Sequence, residues 1–137
     1  MRQRGTVGCV LVLVFLLGGC QPAPLVGSSY QSSCHEVRED YPTNTVADGE
    51  LQVEGSNLTI FHRDALTNCC LTTTMDVELS DKDITVWERE QPGVACRCLC
   101  PRDLSVTIYY LGAGLYTVRL YRDDEPEPFW EGMVQIK

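Results

Sequence analysis

Met75-Asp76-Val77-Glu78-Leu79-Ser80-Asp81-Lys82-Asp83-Ile84-Thr85-Val86 is the stretch that decides the fold. Met75, Val77 and Leu79 alternate with Asp76, Glu78 and Ser80, a period of two that a strand sorts onto opposite faces and a helix scatters. Ser80-Asp81-Lys82-Asp83 offers turn-forming side chains, and the apolar positions resume at Ile84 and Val86. The stretch reads as a β-hairpin with one buried face.

The same period runs outward in both directions. Upstream, Leu51 and Val53 alternate with polar neighbours, as do Leu58, Ile60 and His62. Downstream come Leu104, Val106, Ile108 and Tyr110, then a glycine-rich turn at Leu111-Gly112-Ala113-Gly114. Tyr116, Val118 and Leu120 follow, and Trp130, Val134 and Ile136 close the chain. About seven short strands separated by turn signals predict an all-β antiparallel sandwich. Leu111-Gly112-Ala113-Gly114-Leu115-Tyr116-Thr117-Val118 resembles the penultimate hairpin of immunoglobulin-like bacterial modules. That resemblance implies an immunoglobulin-like β-sandwich and, because such folds host many unrelated tasks, no particular function.

The first twenty residues carry a different message. Arg2 and Arg4 precede the apolar run Val7 to Leu17, which falls short of the roughly 20 residues a membrane-spanning helix needs. A basic start, a short apolar run and small residues describe an export signal. Leu17-Gly18-Gly19-Cys20 resembles the lipobox of bacterial lipoproteins. The resemblance implies cleavage before Cys20, a diacylglyceryl group on its thiol, and acylation of the new amine with palmitate-type chains. Several acyl chains anchor a protein stably where one does so marginally. The organisation expected is a lipoprotein signal peptide over 1–19, a lipidated N-terminus and flexible tether over 20–33, and a cysteine-rich β-sandwich domain over 34–137. The Pro- and Ser-containing run from Gln21 to Ser33 has little to bury. Gln21 is not the aspartate that the resemblance associates with inner-membrane retention. The expected location is therefore outside the cytoplasm, in the outer membrane facing the periplasm of a two-membrane cell.

Charge and missing motifs exclude several classes. The 137 residues carry a net charge of −8, and loss of Arg2 and Arg4 with a signal makes the remainder more acidic still. That balance opposes nucleic-acid binding, which needs clustered Lys and Arg. The chain has no G-x-S-x-G elbow, no C-x-x-C redox motif, no G-x-G-x-x-G and no P-loop. Asp123-Asp124-Glu125-Pro126-Glu127 reads as a solvated loop, since no EF-hand spacing supports calcium there. Asn57-Leu58-Thr59 reads as the start of a strand. The expectation is a non-enzymatic protein without catalytic residues or cofactor, whose partner is the membrane reached through the lipid.

Cysteine usage is the remaining signal. With Cys9 in the signal and Cys20 lipidated, Cys34, Cys69, Cys70, Cys96, Cys98 and Cys100 remain as disulfide candidates. Adjacent Cys69 and Cys70 would form a strained ring with each other, so at least one should reach the Cys96–Cys100 segment. If both do, they staple the segment before Met75 to the one after Trp87, and Cys34 is left for the remaining thiol. On a strand, Cys96, Cys98 and Cys100 would share one face. The competing reading is a zinc or copper site, or a thiol-redox centre, drawn from His62, Cys69, Cys70, Cys96, Cys98 and Cys100. Its weakness is the C-C and C-x-C-x-C spacing, which is not a zinc knuckle. Asn68-Cys69-Cys70 with Cys96-Arg97-Cys98-Leu99-Cys100 resembles a pattern of small cysteine-rich bacterial lipoproteins. That resemblance implies that five cysteines act as one unit and attaches no activity to them.

Overall fold

Alternation in the sequence becomes strand in the computed structural model, which describes residues 22–31, 48–123 and 125–137. The signal peptide expected over 1–19, Cys20 and Cys34 lie outside the described residues. Among the described residues nine strands run in order: β1 (Leu25–Val26), β2 (Tyr30–Gln31), β3 (Asp48–Glu54), β4 (Asn57–Asn68), β5 (Thr73–Ser80), β6 (Asp83–Glu90), β7 (Leu99–Tyr109), β8 (Gly114–Arg122) and β9 (Trp130–Ile136). No helix forms among the described residues.

The strands divide into two sheets packed face to face, an all-β sandwich. The first has the order β1-β7-β4-β3, with β2 also pairing to β7. The second has the order β5-β6-β8-β9. The decisive hairpin is β5–β6, closed between Ser80 and Asp83, with Asp81 at φ 54°, a left-handed conformation that Asp tolerates. Every ladder is antiparallel except β6–β8, which is parallel. The cause is connectivity: the chain leaves β6, crosses to the other sheet as β7, and returns as β8 in β6's direction. Leu111-Gly112-Ala113-Gly114 is thus an arch between sheets and does not join two paired strands. Tyr116 fastens the arch, its hydroxyl donating to the Gly112 carbonyl at 2.8 Å, while Lys82 Nζ donates to the Tyr116 oxygen at 2.9 Å. A buried tyrosine bonded back to the preceding corner is a known device of Greek-key sandwiches.

Residues 22–31, expected as tether, contribute two paired segments. Leu25 and Val26 sit opposite Tyr109 and Ile108, and Tyr30 and Gln31 opposite Ser105 and Leu104. Two residues are too few for an alternation signal, so only the neighbouring edge of β7 reveals them.

The core forms where the inner faces meet. Leu58, Ile60, Leu104 and Ile108 of the first sheet and Ile84, Val86, Val118 and Leu120 of the second are all fully buried. Each such side chain contributes about 1.5–3 kcal/mol by leaving water. One flank is closed by Trp130, whose indole lies against β3. A Cβ at Gly49 would sit 2.3 Å from that ring, so only glycine admits the indole there.

A bulge in β4 prepares the other end. His62 pairs with Leu104 and Ala65 with Arg102, so Arg63 and Asp64 together oppose Asp103. Asp64 takes φ 51°, and its N–H donates to Asp103 Oδ1 at 3.1 Å. Arg63 bonds Glu50 and Asp103. The extra residue returns Ala65 and Thr67 to the inside after His62 and delivers Asn68 to the end of the sandwich.

Candidate functional site

At that end the chain turns from β4 into β5 through Asn68-Cys69-Cys70-Leu71-Thr72, facing the loop that leads into β7. Asn68 organises both. Its Oδ1 accepts the N–H groups of Cys70 at 3.0 Å and Cys96 at 3.2 Å, and its Nδ2 donates to the Cys96 carbonyl at 2.8 Å. An asparagine two residues before a backbone donor makes an Asx turn, which accounts for the residue preceding the cysteine pair. The Cys69 N–H donates to the Cys98 carbonyl at 3.1 Å. Arg102 draws the turn down from the other side, donating to the carbonyls of Leu71 at 3.0 Å and Cys69 at 2.8 Å. Asn68 N–H donates to Glu90 Oε1 at 2.7 Å.

This clamp gathers five sulfurs. Cys70 pairs with Cys96, their Cα atoms 5.6 Å apart. Cys69 lies within bonding reach of both Cys98 and Cys100, at Cα separations of 5.7 and 5.2 Å. Both spans are ordinary for a disulfide. Because a sulfur forms one disulfide at a time, one of Cys98 and Cys100 is left over. The three sulfurs of Cys69, Cys98 and Cys100 lie within 4.8 Å of one another. Cys98 Sγ is also 3.3 Å from Cys96 Sγ. Accessibility differs across the trio: Cys98 is exposed, Cys69 half-buried, and Cys100 only 7% exposed.

The strained-ring argument requires at least one of the adjacent cysteines to reach the Cys96–Cys100 segment, and both do. The shared strand face does not materialise. Cys96 and Cys98 lie in the loop and only Cys100 lies on β7, because Asn68 and Arg102 hold the Cys69–Cys70 turn in the place where a neighbouring strand would be. His62 points inward but not to the sulfurs. Its Nδ1 lies 2.5 Å from Glu88 Oε1, a buried pair joining β4 to β6 across the sandwich. The Phe129 ring packs on the imidazole at 5.0 Å between centroids. Asp123, Glu125 and Glu127 are exposed, as expected of a solvated loop.

Beside this pair lies a cavity of about 30 Å³ lined by Leu66, Thr67, Thr73, Glu88, Glu90, Arg122 and Asp123. The hydroxyls of Thr67 and Thr73 are buried there without a hydrogen-bond partner among the described residues. Sequence reasoning did not single out Glu88, Arg102 or these threonines. Glu88 did have a signal: it continues the inward positions Ile84 and Val86. Comparison of the chain with protein families, curated proteins and solved structures returns no match.

Proposed function

We propose that this chain is an exported, lipid-anchored module of the cell envelope, non-enzymatic, with a binding or structural role and a disulfide-stabilised core. The observation that carries the reading is the cross-linked turn, in which Cys70–Cys96 and the partners of Cys69 staple the β4–β5 connection to the entry of β7. Such linkages belong to oxidising compartments outside the cytosol. The lipobox-like Leu17-Gly18-Gly19-Cys20 supplies the matching address, with Cys20 as the lipidated residue and the membrane as partner. Gln21 favours the outer membrane of a two-membrane cell, facing the periplasm. The acidic balance leaves nucleic acid out.

Two measurements test this. Labelled fatty acid should enter the wild-type protein and not Cys20→Ala, which should accumulate as precursor. A mature-sized, labelled Cys20→Ala protein would overturn the anchor. The mass of the oxidised chain should rise by two hydrogens for each bridge on reduction.

One observation favours a second reading: the three clustered sulfurs of Cys69, Cys98 and Cys100 form a soft donor set suited to Cu(I) or, with a fourth ligand, zinc. Metal bound in stoichiometric amount by a chain whose thiols are all reduced would decide for it.

A further inference from the structure

We propose that Cys98 is a thiol–disulfide exchange site that takes accessible disulfides as its substrate class, and that Cys69 is the sulfur shared between Cys98 and Cys100. The proposal rests on the disulfide-core reading and adds to it a labile bond and a reactive thiol.

Three observations converge. Cys69 has two partners at bridging separation and valence for one. The three sulfurs are mutually close, so an attacking sulfur is already beside the bond it would attack. The two competitors differ in access, Cys98 lying on the surface and Cys100 inside. The backbone holding them is fixed independently: Asn68 grips Cys70 and Cys96, Arg102 grips the Cys69 carbonyl, and the Cys70–Cys96 bond spans the same turn. Exchange can therefore proceed without unfolding the sandwich.

The internal step conserves disulfides. The Cys98 thiolate attacks Cys69 Sγ in the Cys69–Cys100 bond; Cys69–Cys98 forms, Cys69–Cys100 breaks, and Cys100 leaves as a thiolate that takes up the proton Cys98 released. In one isomer the free thiol is at the surface; in the other it is sealed beneath the sheet. Only the first reacts outward. There the Cys98 thiolate attacks one sulfur of an external disulfide, forms a mixed disulfide with it, and expels the other sulfur as a thiolate. No oxidant or reductant beyond that disulfide is needed.

The experiment uses the full chain purified in detergent without reductant. One sample is denatured at acidic pH, which halts exchange, and alkylated; bound disulfides are then reduced and alkylated with an isotopically distinct reagent. The first label should divide between Cys98 and Cys100. A second, native sample is treated with an aromatic disulfide that releases a coloured thiolate. The adduct should form on Cys98, and the first label should then disappear from Cys100. In a Cys34→Ser chain, where the thiol left over by the trio is the one that reacts, Cys98→Ser should abolish the release, and Cys100→Ser, which commits Cys98 to Cys69, should suppress it. Should either variant fail to fold, the labelling of the wild-type chain still decides. A first label confined to Cys100, or absent from both because the third sulfur is joined to Cys34, would overturn the proposal and leave the disulfide core standing. First label on all five clustered cysteines would overturn both.

Discussion

The two ends of the sandwich are built from the same strands and held by different forces. Toward the β5–β6 turn, β4, β6, β7 and β8 present Leu58, Ile60, Ile84, Val86, Val106, Ile108 and Val118 to one another, an apolar interior at whose corner the Tyr116 hydroxyl is bonded to Gly112 and Lys82. Toward the cysteine turn, the inward positions of β4, β5 and β6 become His62, Thr67, Thr73 and Glu88. Beyond them lie an asparagine, an arginine and five sulfurs. Area removed from water holds the first half. In the second half that contribution falls away, and cross-links and paired polar groups replace it. The difference teaches where this small domain places its covalent bonds: at the end that burial alone would leave loose.

Reduction should break the comparison most visibly. The closed loops span 26 to 31 residues, for which the chain-entropy account gives roughly 3–4 kcal/mol per loop. The loops are nested, Cys70–Cys96 lying inside the span closed by Cys69, so the second bond adds far less than the first. Reductant should lower the thermal midpoint by about 15–25 °C, while a chelator leaves it in place. Cys70→Ser with Cys96→Ser should cost only a small part of that. A melt of the oxidised chain under each treatment checks both statements.

Next in size is the apolar half. Ile84→Ala should cost about 3 kcal/mol through lost burial and the cavity left behind. Denaturant unfolding should return the same loss with and without reductant, since the residue belongs to the half that no disulfide holds. Glu88→Ala in the polar half should cost about 2–3 kcal/mol, because His62 is stranded without its partner. Replacing both, as His62→Leu with Glu88→Leu, should recover part of the loss, an interaction that a double-mutant cycle reads directly. The smallest effect is a gain. Thr73→Val removes a buried hydroxyl with no partner and keeps the shape, so the midpoint should rise by an amount worth about 1 kcal/mol. A fall instead would mean that the hydroxyl is bonded to solvent in the adjoining cavity.

The same contrast separates what the sequence made legible from what it did not. The apolar half was written in period two: Met75 to Leu79, Ile84 and Val86, and Tyr116 to Leu120 are strands because alternation has one structural meaning. The parallel β6–β8 ladder was hidden, since which strands become neighbours depends on crossovers that leave no local mark. In the polar half, the strain of bonding adjacent residues sent at least one of Cys69 and Cys70 to the Cys96–Cys100 segment; that both go there took the fold to show. Which sulfur Cys69 takes did not follow, because Cys98 and Cys100 are both at bridging separation. Glu88 was passed over because its charge outweighed its parity, and a buried partner in His62 was what made that position habitable. Asn68 stood beside the cysteines in plain view. Its role needed three-dimensional neighbours 28 residues away.

The short strands β1 and β2 bear on how this protein can be handled and trimmed. They occupy the outer side of β7, leaving β3 as the other margin of that sheet. A chain cut to begin at Cys34 would keep every core residue and still lose this cover. The N–H and C=O groups of β7 near Leu104 and Ile108 would then face solvent as an open template for another molecule's strand. Such a fragment would self-associate as its concentration rose, though its fold was intact. Light scattering of the two lengths would separate them. On that expectation, the shortest fragment that stays monomeric begins ahead of Leu25, because β1 and β2 then still pair with β7.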